Sequence, residues 1–269
     1  EKAAHTIRSY RSDLATFQSY LGETPLSKVG LKDLEEYHEF LKKEGMSTNT
    51  RRRKVLPSRR LLAFLHQRGK LSIDISGRVP APYKVERVPQ VFDTLSMIER
   101  VRALPSSSPI EARHRVLLWF LAETGAQVSE VSRIRFDEVE LVRGGKEAWL
   151  SVSGKAPRRL PLSPELAFEV EHLRLLDRKF AWVFTGFTRQ GSLGTPITDR
   201  GVELLVRAAA TRLNVPKLTP RLFRHSAVVL WNRQGLSRDQ IRERLGLKTE
   251  YAFRAYEPLF KLDPVLLSV

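Results

Sequence analysis

Residues 219–256 read TPRLFRHSAVVLWNRQGLSRDQIRERLGLKTEYAFRAY, and three short helices with clear punctuation follow from that stretch. Thr219 is placed to cap a helix whose first turn accepts Pro220. Leu222, Phe223, Ala227, Val228, Leu230 and Trp231 make its apolar face, and Gly235 stops it. Ser237 with Gln240 three residues on forms a capping-box pattern for a second helix that ends near Gly246. The third carries Phe253 and Tyr256. Arg221 and Arg224 are three apart, so they share one helix face. Two guanidiniums on one face with a tyrosine downstream can hold a phosphate and attack it.

The composition points the same way. The 269-residue chain carries 46 Lys and Arg against 30 Asp and Glu, a net charge of +16, and is 42% hydrophobic. This is a folded chain with an excess of cations that suits a polyanion, nucleic acid first. An anionic membrane surface fits less well, since no strongly amphipathic terminal helix is apparent. There is no cysteine, which excludes disulfides and thiolate metal sites and fits a cytoplasmic protein. No apolar run approaches the roughly 20 residues of a membrane span. The opening residues are not a signal peptide, and the missing initiator Met suggests that an upstream piece is absent.

Along the chain, Ile7, Tyr10, Leu14, Phe17 and Leu21 fall at helical spacing, with Arg8, Arg11 and Asp13 off the stripe. A second helix covers about 31–41. A third, capped by Ser47 or Asn49, runs through Leu65 with Pro57 predicting a kink or break. It carries Arg51, Arg52, Arg53, Lys54, Arg59 and Arg60 with no acid among them. Such a run repels itself unless a phosphate backbone faces it. Residues 78–91, with Pro80, Pro82 and Pro89 and the cations Lys84 and Arg87, read as an extended basic linker. Beyond it come a helix over about 93–104, a buried helix to Thr124, and Val131, Ile134 and Phe136 continuing helically. Strands at 147–152 and 159–162 follow, then a helix from Ser163-Pro164 to about Lys179. A short apolar strand or turn lies at 181–184, a loop at 187–196, and a helix capped by Thr198. His114 and His172 have no ligand partner at metal spacing, so no metal is expected.

Several boxes, in order, resemble those of the tyrosine recombinases (phage integrases and the Xer group). The opening Thr6-Ile7-x-x-Tyr10-x-x-Asp13-Leu14 is similar to that of their helical core-binding domain. Thr124-Gly125-Ala126-Gln127-Val128-Ser129-Glu130 resembles the family's Thr-Gly-x-Arg-(Ile/Val)-Ser-Glu, with Gln127 at the first catalytic arginine. Gly154-Lys155 followed by Arg159-Leu160-Pro161-Leu162 resembles the β-hairpin that holds the catalytic lysine. The family's His-x-x-Arg, Leu-Gly-His/Trp and nucleophilic tyrosine fall on Arg221, Arg224, Leu245-Gly246-Leu247 and Tyr256.

The resemblance implies a mainly α fold with a small β-sheet (α+β). It implies a helical core-binding domain at 1–77, a linker at 78–91, a three-stranded catalytic-type domain at 92–257 and an apolar tail at 258–269. Such a tail docks either on a neighbouring protomer or on its own domain. The partners implied are double-stranded DNA and, for a chain with a reduced catalytic set, a second active recombinase. The chemistry implied needs no metal or nucleotide cofactor. Tyr256 attacks a DNA phosphate to give a 3′-phosphotyrosyl link, Arg224 and a second cation stabilise the phosphorane, and Lys155 protonates the leaving 5′-oxygen. Gln127 brings a donor but no charge, Leu247 brings neither, and Arg221 brings charge but is a poor proton acceptor. Two readings stand: a DNA-binding member with lost or impaired strand exchange, and an active recombinase in which Arg221 supplies the charge Gln127 lacks. A general packaging or RNA-binding protein is a third class, but it would not explain the ordered boxes.

Overall fold

A computed structural model describes residues 4–85, 89–142, 144–154, 156–176, 180–188 and 191–261. The chain divides into two compact units, Glu1–Arg87 and Val88–Val269. As expected, the fold is mainly helical with small antiparallel sheets.

The first unit is built from α1 (Ala4–Leu21), α2 (Leu31–Lys43) and α3 (Thr48–Gln67). Phe17, Leu34, Tyr37, Leu41, Val55 and Leu62 are buried at its centre, with Phe17 and Tyr37 in ring contact at 4.8 Å. The inward face of α1 is rotated from the one its apolar spacing predicts: Ile7 is 48% exposed and Asp13 is only 1% exposed. The reason lies on α3. Arg53 Nη1 donates to Asp13 at 2.6 Å, and Lys54 Nζ, itself donating to Thr16 at 2.8 Å, lies 3.6 Å from the same carboxylate. The pairing pulls an acid inward because a buried carboxylate needs cations and donors around it.

Ser47 caps α3, accepting from the Thr50 N–H. The helix then runs unbroken past Pro57, where a kink or break is predicted. Proline removes one ladder donor, but Val55, Pro57, Ser58 and Leu62 are all buried, and that packing holds the helix together across the gap. The stretch predicted as an extended tether is fastened to α3 over part of its length. Asn49 donates to Val85 O and accepts from Val85 N–H, and Arg52 donates to Pro82 O, all at 2.8–2.9 Å.

The second unit is organised around α5 (Pro109–Thr124), which follows α4 (Thr94–Arg102). Every residue from Val116 to Ala122 is buried, as a helix apolar on all sides must be. The short helix α6 (Val128–Val131) ends early, where continuation to Phe136 is predicted. Ile134 and Phe136 are instead taken into backbone pairing with Val183 and Ala181. Strands β1 (Val139–Leu141), β2 (Ala148–Val152) and β3 (Arg158–Leu162) form an antiparallel meander, with Leu150 opposite both Val139 and Leu160. Ala148, Leu150 and Val152 point to the core in strict alternation.

After α7 (Pro164–Leu176), the segment predicted as a loop forms a hairpin, β4 (Thr185–Thr188) with β5 (Gly191–Pro196). Its glycine-rich sequence, with Gly186, Gly191 and Gly194, carries no period-two signal. The chain closes with α8 (Asp199–Ala209), α9 (Pro220–Arg233), α10 (Arg238–Arg244), α11 (Glu250–Phe253) and a 3-10 segment, Arg254–Lys261. No helix among the described residues is long and apolar enough to cross a membrane.

Asp13→Ala leaves Lys54 partly buried without its carboxylate. Urea unfolding of the variant is predicted to show a loss of about 2 kcal/mol, reduced from the fully buried case because Arg53 reaches solvent. A loss under about 0.5 kcal/mol would contradict the role given to this pair.

Candidate active site and nucleic-acid interface

The site is built on α9. Thr219 accepts from the Leu222 N–H at 3.2 Å and Pro220 occupies the first turn, as the sequence predicts. The helix then buries Arg224, which is only 6% exposed. A buried guanidinium must find acceptors, and each of its three nitrogens has one. Nη1 donates to Gly125 O at 2.8 Å, Nη2 to Leu245 O at 2.6 Å, and Nε to Tyr256 Oη at 2.9 Å. One side chain thus joins the end of α5, the end of α10 and the tyrosine segment.

Gly125 makes the first junction possible. It sits at φ +56°, where side chains are disfavoured, and a Cβ there would lie 3.0 Å from Ala227 Cβ. Tyr256 lies on the 3-10 segment rather than on an α-helix, half-buried, with its ring stacked on Phe253 at 6.1 Å.

Arg221 lies one turn before Arg224 and is exposed. Its Nε donates to His225 Nε2 at 3.3 Å, and the His225 ring meets Tyr256 edge-on at 5.7 Å. Burial, then the charges of Arg221 and Arg224, push the His225 imidazole down to about 4. It is therefore neutral at physiological pH and able to accept from Arg221.

The structure brings Arg221, Arg224 and Tyr256 together, with His225 between them. Gln127 is exposed at the start of α6, two residues from the carbonyl that Arg224 grips. Leu247 is half-buried and packs with Tyr256 and Phe260 against the cluster of Ala227, Val228, Trp231, Ile241, Leu245, Phe253 and Leu259. Leu259 is buried there, while residues 262–269 of the apolar tail lie outside the described residues. Lys155 also lies outside them, although the strands flanking it are in place.

Two further residues hold the pieces in register, and sequence reasoning assigned neither a role. Arg158, on β3, donates to both oxygens of Glu130 at 2.7 and 3.0 Å, and through Nε to Arg244 O at 2.7 Å. Burial works to raise the Glu130 pKa. The Arg158 hydrogen bond, the Gln127 N–H and the charges of Arg158 and Arg224 outweigh it and hold the carboxyl below its ordinary range. Gly246, at φ +65°, lets the chain pass over this pair: a Cβ there would stand 2.7 Å from Arg158 Nη1. The readable signal was the first arginine of the Arg158-Arg159 pair, but its partner comes from 28 residues away.

The basic run on α3 is less bare than its sequence suggests. Arg53 and Lys54 meet Asp13, Arg52 meets Pro82 O, Arg51 donates to Thr48 Oγ1, Arg59 donates to Ser76 O, and Arg60 contacts the Tyr10 hydroxyl. An arginine has five donors, so these contacts orient the guanidiniums and leave donors over. Arg53 and Arg60 are exposed, as is Lys84; Arg87 lies outside the described residues.

The His225 shift has a definite sign. Between about 4 and the ordinary 6.5, the unfolded chain binds a proton that the folded chain refuses. The contribution of this group to stability is therefore fully present above 6.5 and is lost as pH drops through that window. His114, also lowered to about 4, chiefly by burial, acts in the same direction. His225→Phe is predicted to flatten the slope of unfolding free energy against pH between 4.5 and 6.5 by about 1 kcal/mol per pH unit. An unchanged slope would contradict the neutral, buried imidazole.

Comparison with known proteins fits this geometry. Residues 93–260 match the model of the phage integrase family, and residues 1–69 that of the phage integrase N-terminal SAM-like domain. The tyrosine recombinase XerC of Xylella fastidiosa (strain M23) is 25% identical over 234 residues, 83% of this chain and 76% of the relative. The tyrosine recombinase XerD of Listeria innocua serovar 6a is 24% identical over 259 residues, 91% of this chain and 84% of the relative. Among solved structures, XerH bound to a palindromic difH substrate in a post-cleavage complex superposes with a TM-score of 0.73 at 18% identity, over 95% of this chain and 77% of that one. A lambda integrase dimer bound to a COC′ core site gives 0.72 at 14%, over 95% and 89%. These two likenesses concern the fold, and the family match rests on sequence. With the ordered boxes and a buried arginine hydrogen-bonded to the tyrosine, the chain belongs to the phage integrase family, the tyrosine recombinases.

Proposed function

We propose that this protein binds duplex DNA in site-specific recombination or integration, and that its own strand exchange is impaired. Three features support DNA as the partner: the net charge of +16, the oriented guanidiniums of α3 (Arg51, Arg52, Arg53, Arg59 and Arg60, with Lys54 and Lys84), and a family whose solved members include DNA complexes. The observation that carries the impairment is a contrast within one site. Arg224 and Tyr256 are hydrogen-bonded at 2.9 Å, while Gln127 contributes no charge and Leu247 is packed as an apolar residue. Tyr256 is the nucleophile, Arg224 the remaining phosphate clamp and Lys155 the acid. Each missing transition-state donor costs about 2.7–4 kcal/mol, and grouped residues do not simply add. Such a chain acts on DNA beside a second, fully equipped recombinase, with assembly through its apolar tail.

A second reading is favoured by the Arg221–His225 contact. Arg221 is hydrogen-bonded to the buried imidazole that meets the Tyr256 ring, and it carries the charge that Gln127 lacks. In that case the phosphate clamp is rearranged rather than lost.

Covalent trapping on nicked duplexes selected for binding separates the two. The proposed function predicts tight binding and only a trace of denaturant-resistant adduct, absent in Tyr256→Phe. Rapid, near-complete adduct that Arg221→Ala abolishes would overturn the impairment and establish the rearranged clamp. Absence of duplex binding at physiological salt would sink both.

A further inference from the structure

The tyrosine segment is gripped from a second side. Arg238, the first residue of α10, reaches across to Glu250–Lys261, the stretch that carries Tyr256. Its Nη2 lies 3.1 Å from Glu257 Oε1 and 3.4 Å from Glu250 Oε1. Its guanidinium also lies 5.4 Å from the centroid of Phe253 and 5.5 Å from that of Phe260. Two acids and two rings from one short segment thus converge on one cation. Arg242, a turn further along α10, adds a contact to Glu250 at 3.2 Å. Phe253 then stacks on the Tyr256 ring. The grip therefore passes from Arg238 through Phe253 to the tyrosine, whose hydroxyl meets Arg224 on the far side.

We propose that Arg238 is a positioning residue that seats the Tyr256 segment in the site of its own chain. The inference rests on the reading of Tyr256 as the nucleophile, and it adds how that nucleophile is held. The physical case is the number and kind of contacts rather than any one of them. Exposed ion pairs are individually weak, and a cation over an exposed ring is worth little more. Here one side chain makes both, twice each, to a segment that passes from α11 into a 3-10 stretch with a proline inside it. Without Arg238 the segment keeps the Arg242–Glu250 pair and the burial of Phe253 and Leu259, so the fold survives while the tyrosine loses its register.

The test reads the seating of the hydroxyl without DNA or cleavage. The full chain is treated with N-acetylimidazole, and acetylation of Tyr256 is measured by peptide mass spectrometry against Tyr251. Tyr251 is 81% exposed on the same segment and serves as the internal reference. Arg238→Ala is expected to raise the Tyr256/Tyr251 rate ratio about tenfold. Arg238→Lys, which keeps the charge, should restore part of the protection, and Glu257→Gln, which removes one acid, should give an intermediate rise. A ratio unchanged in Arg238→Ala overturns the proposal. So does a rise of equal size in Arg238→Lys and Arg238→Ala, because the charge would then play no part. Failure of the nucleophile reading shows separately, as DNA adduct that persists in Tyr256→Phe.

Discussion

A guanidinium buried in a protein must have its donors met, and the second unit is arranged around meeting those of Arg224. Its three nitrogens reach Gly125 O, Leu245 O and the Tyr256 hydroxyl. Those acceptors come from three separate parts of the chain. Satisfying one charge therefore fixes the end of α5, the end of α10 and the tyrosine segment relative to α9. Moving any of the three would leave a buried donor unpaired, at about 1–3 kcal/mol or more for a charged group. The same arrangement that stabilises the fold brings the tyrosine oxygen to the arginine.

A second buried pair does for the hairpin what Arg224 does for the tyrosine. The fork of Arg158 on Glu130, with its third contact to Arg244 O, ties β3 to α6 and α10. The strands on either side of Lys155 and the short helix that Gln127 begins are thereby held to the helix that precedes Leu247. Bidentate arginine–carboxylate pairs fix geometry as well as adding energy, which suits a junction between elements. Gly246 is required where the backbone passes this fork, since any Cβ would collide with it.

Much of this was legible in the sequence, because much of it is written in local signals. The caps at Ser47, Thr198, Thr219 and Ser237, the apolar run of α5 and the alternation of β2 each declare themselves within a few residues. What could not be read depends on partners far along the chain. Asp13 is buried because Arg53, 40 residues on, reaches it. Ile134 and Phe136 leave the helical path because residues near 182 pair with them. The β4–β5 hairpin forms from a glycine-rich stretch whose pattern resembles a loop. At the site, spacing put Arg221 and Arg224 on one helix face, and the resemblance to the family's motif joined Tyr256 to them. The stations of Arg158, Glu130 and Arg238 emerged only once the helices were packed.

On the proposed reading, charge at position 127 is the first thing the site lacks. Arg224 and Tyr256 are already hydrogen-bonded, so restoring one cation should recover part of the rate, with the Leu247 deficit remaining. The direct measurement is the single-turnover rate of covalent adduct formation on a nicked duplex, for Gln127→Arg against the unaltered chain. The account predicts an increase of about a hundredfold at unchanged DNA affinity. A rate that does not rise, with the variant folded and DNA bound, would contradict it and place the limit elsewhere in the site.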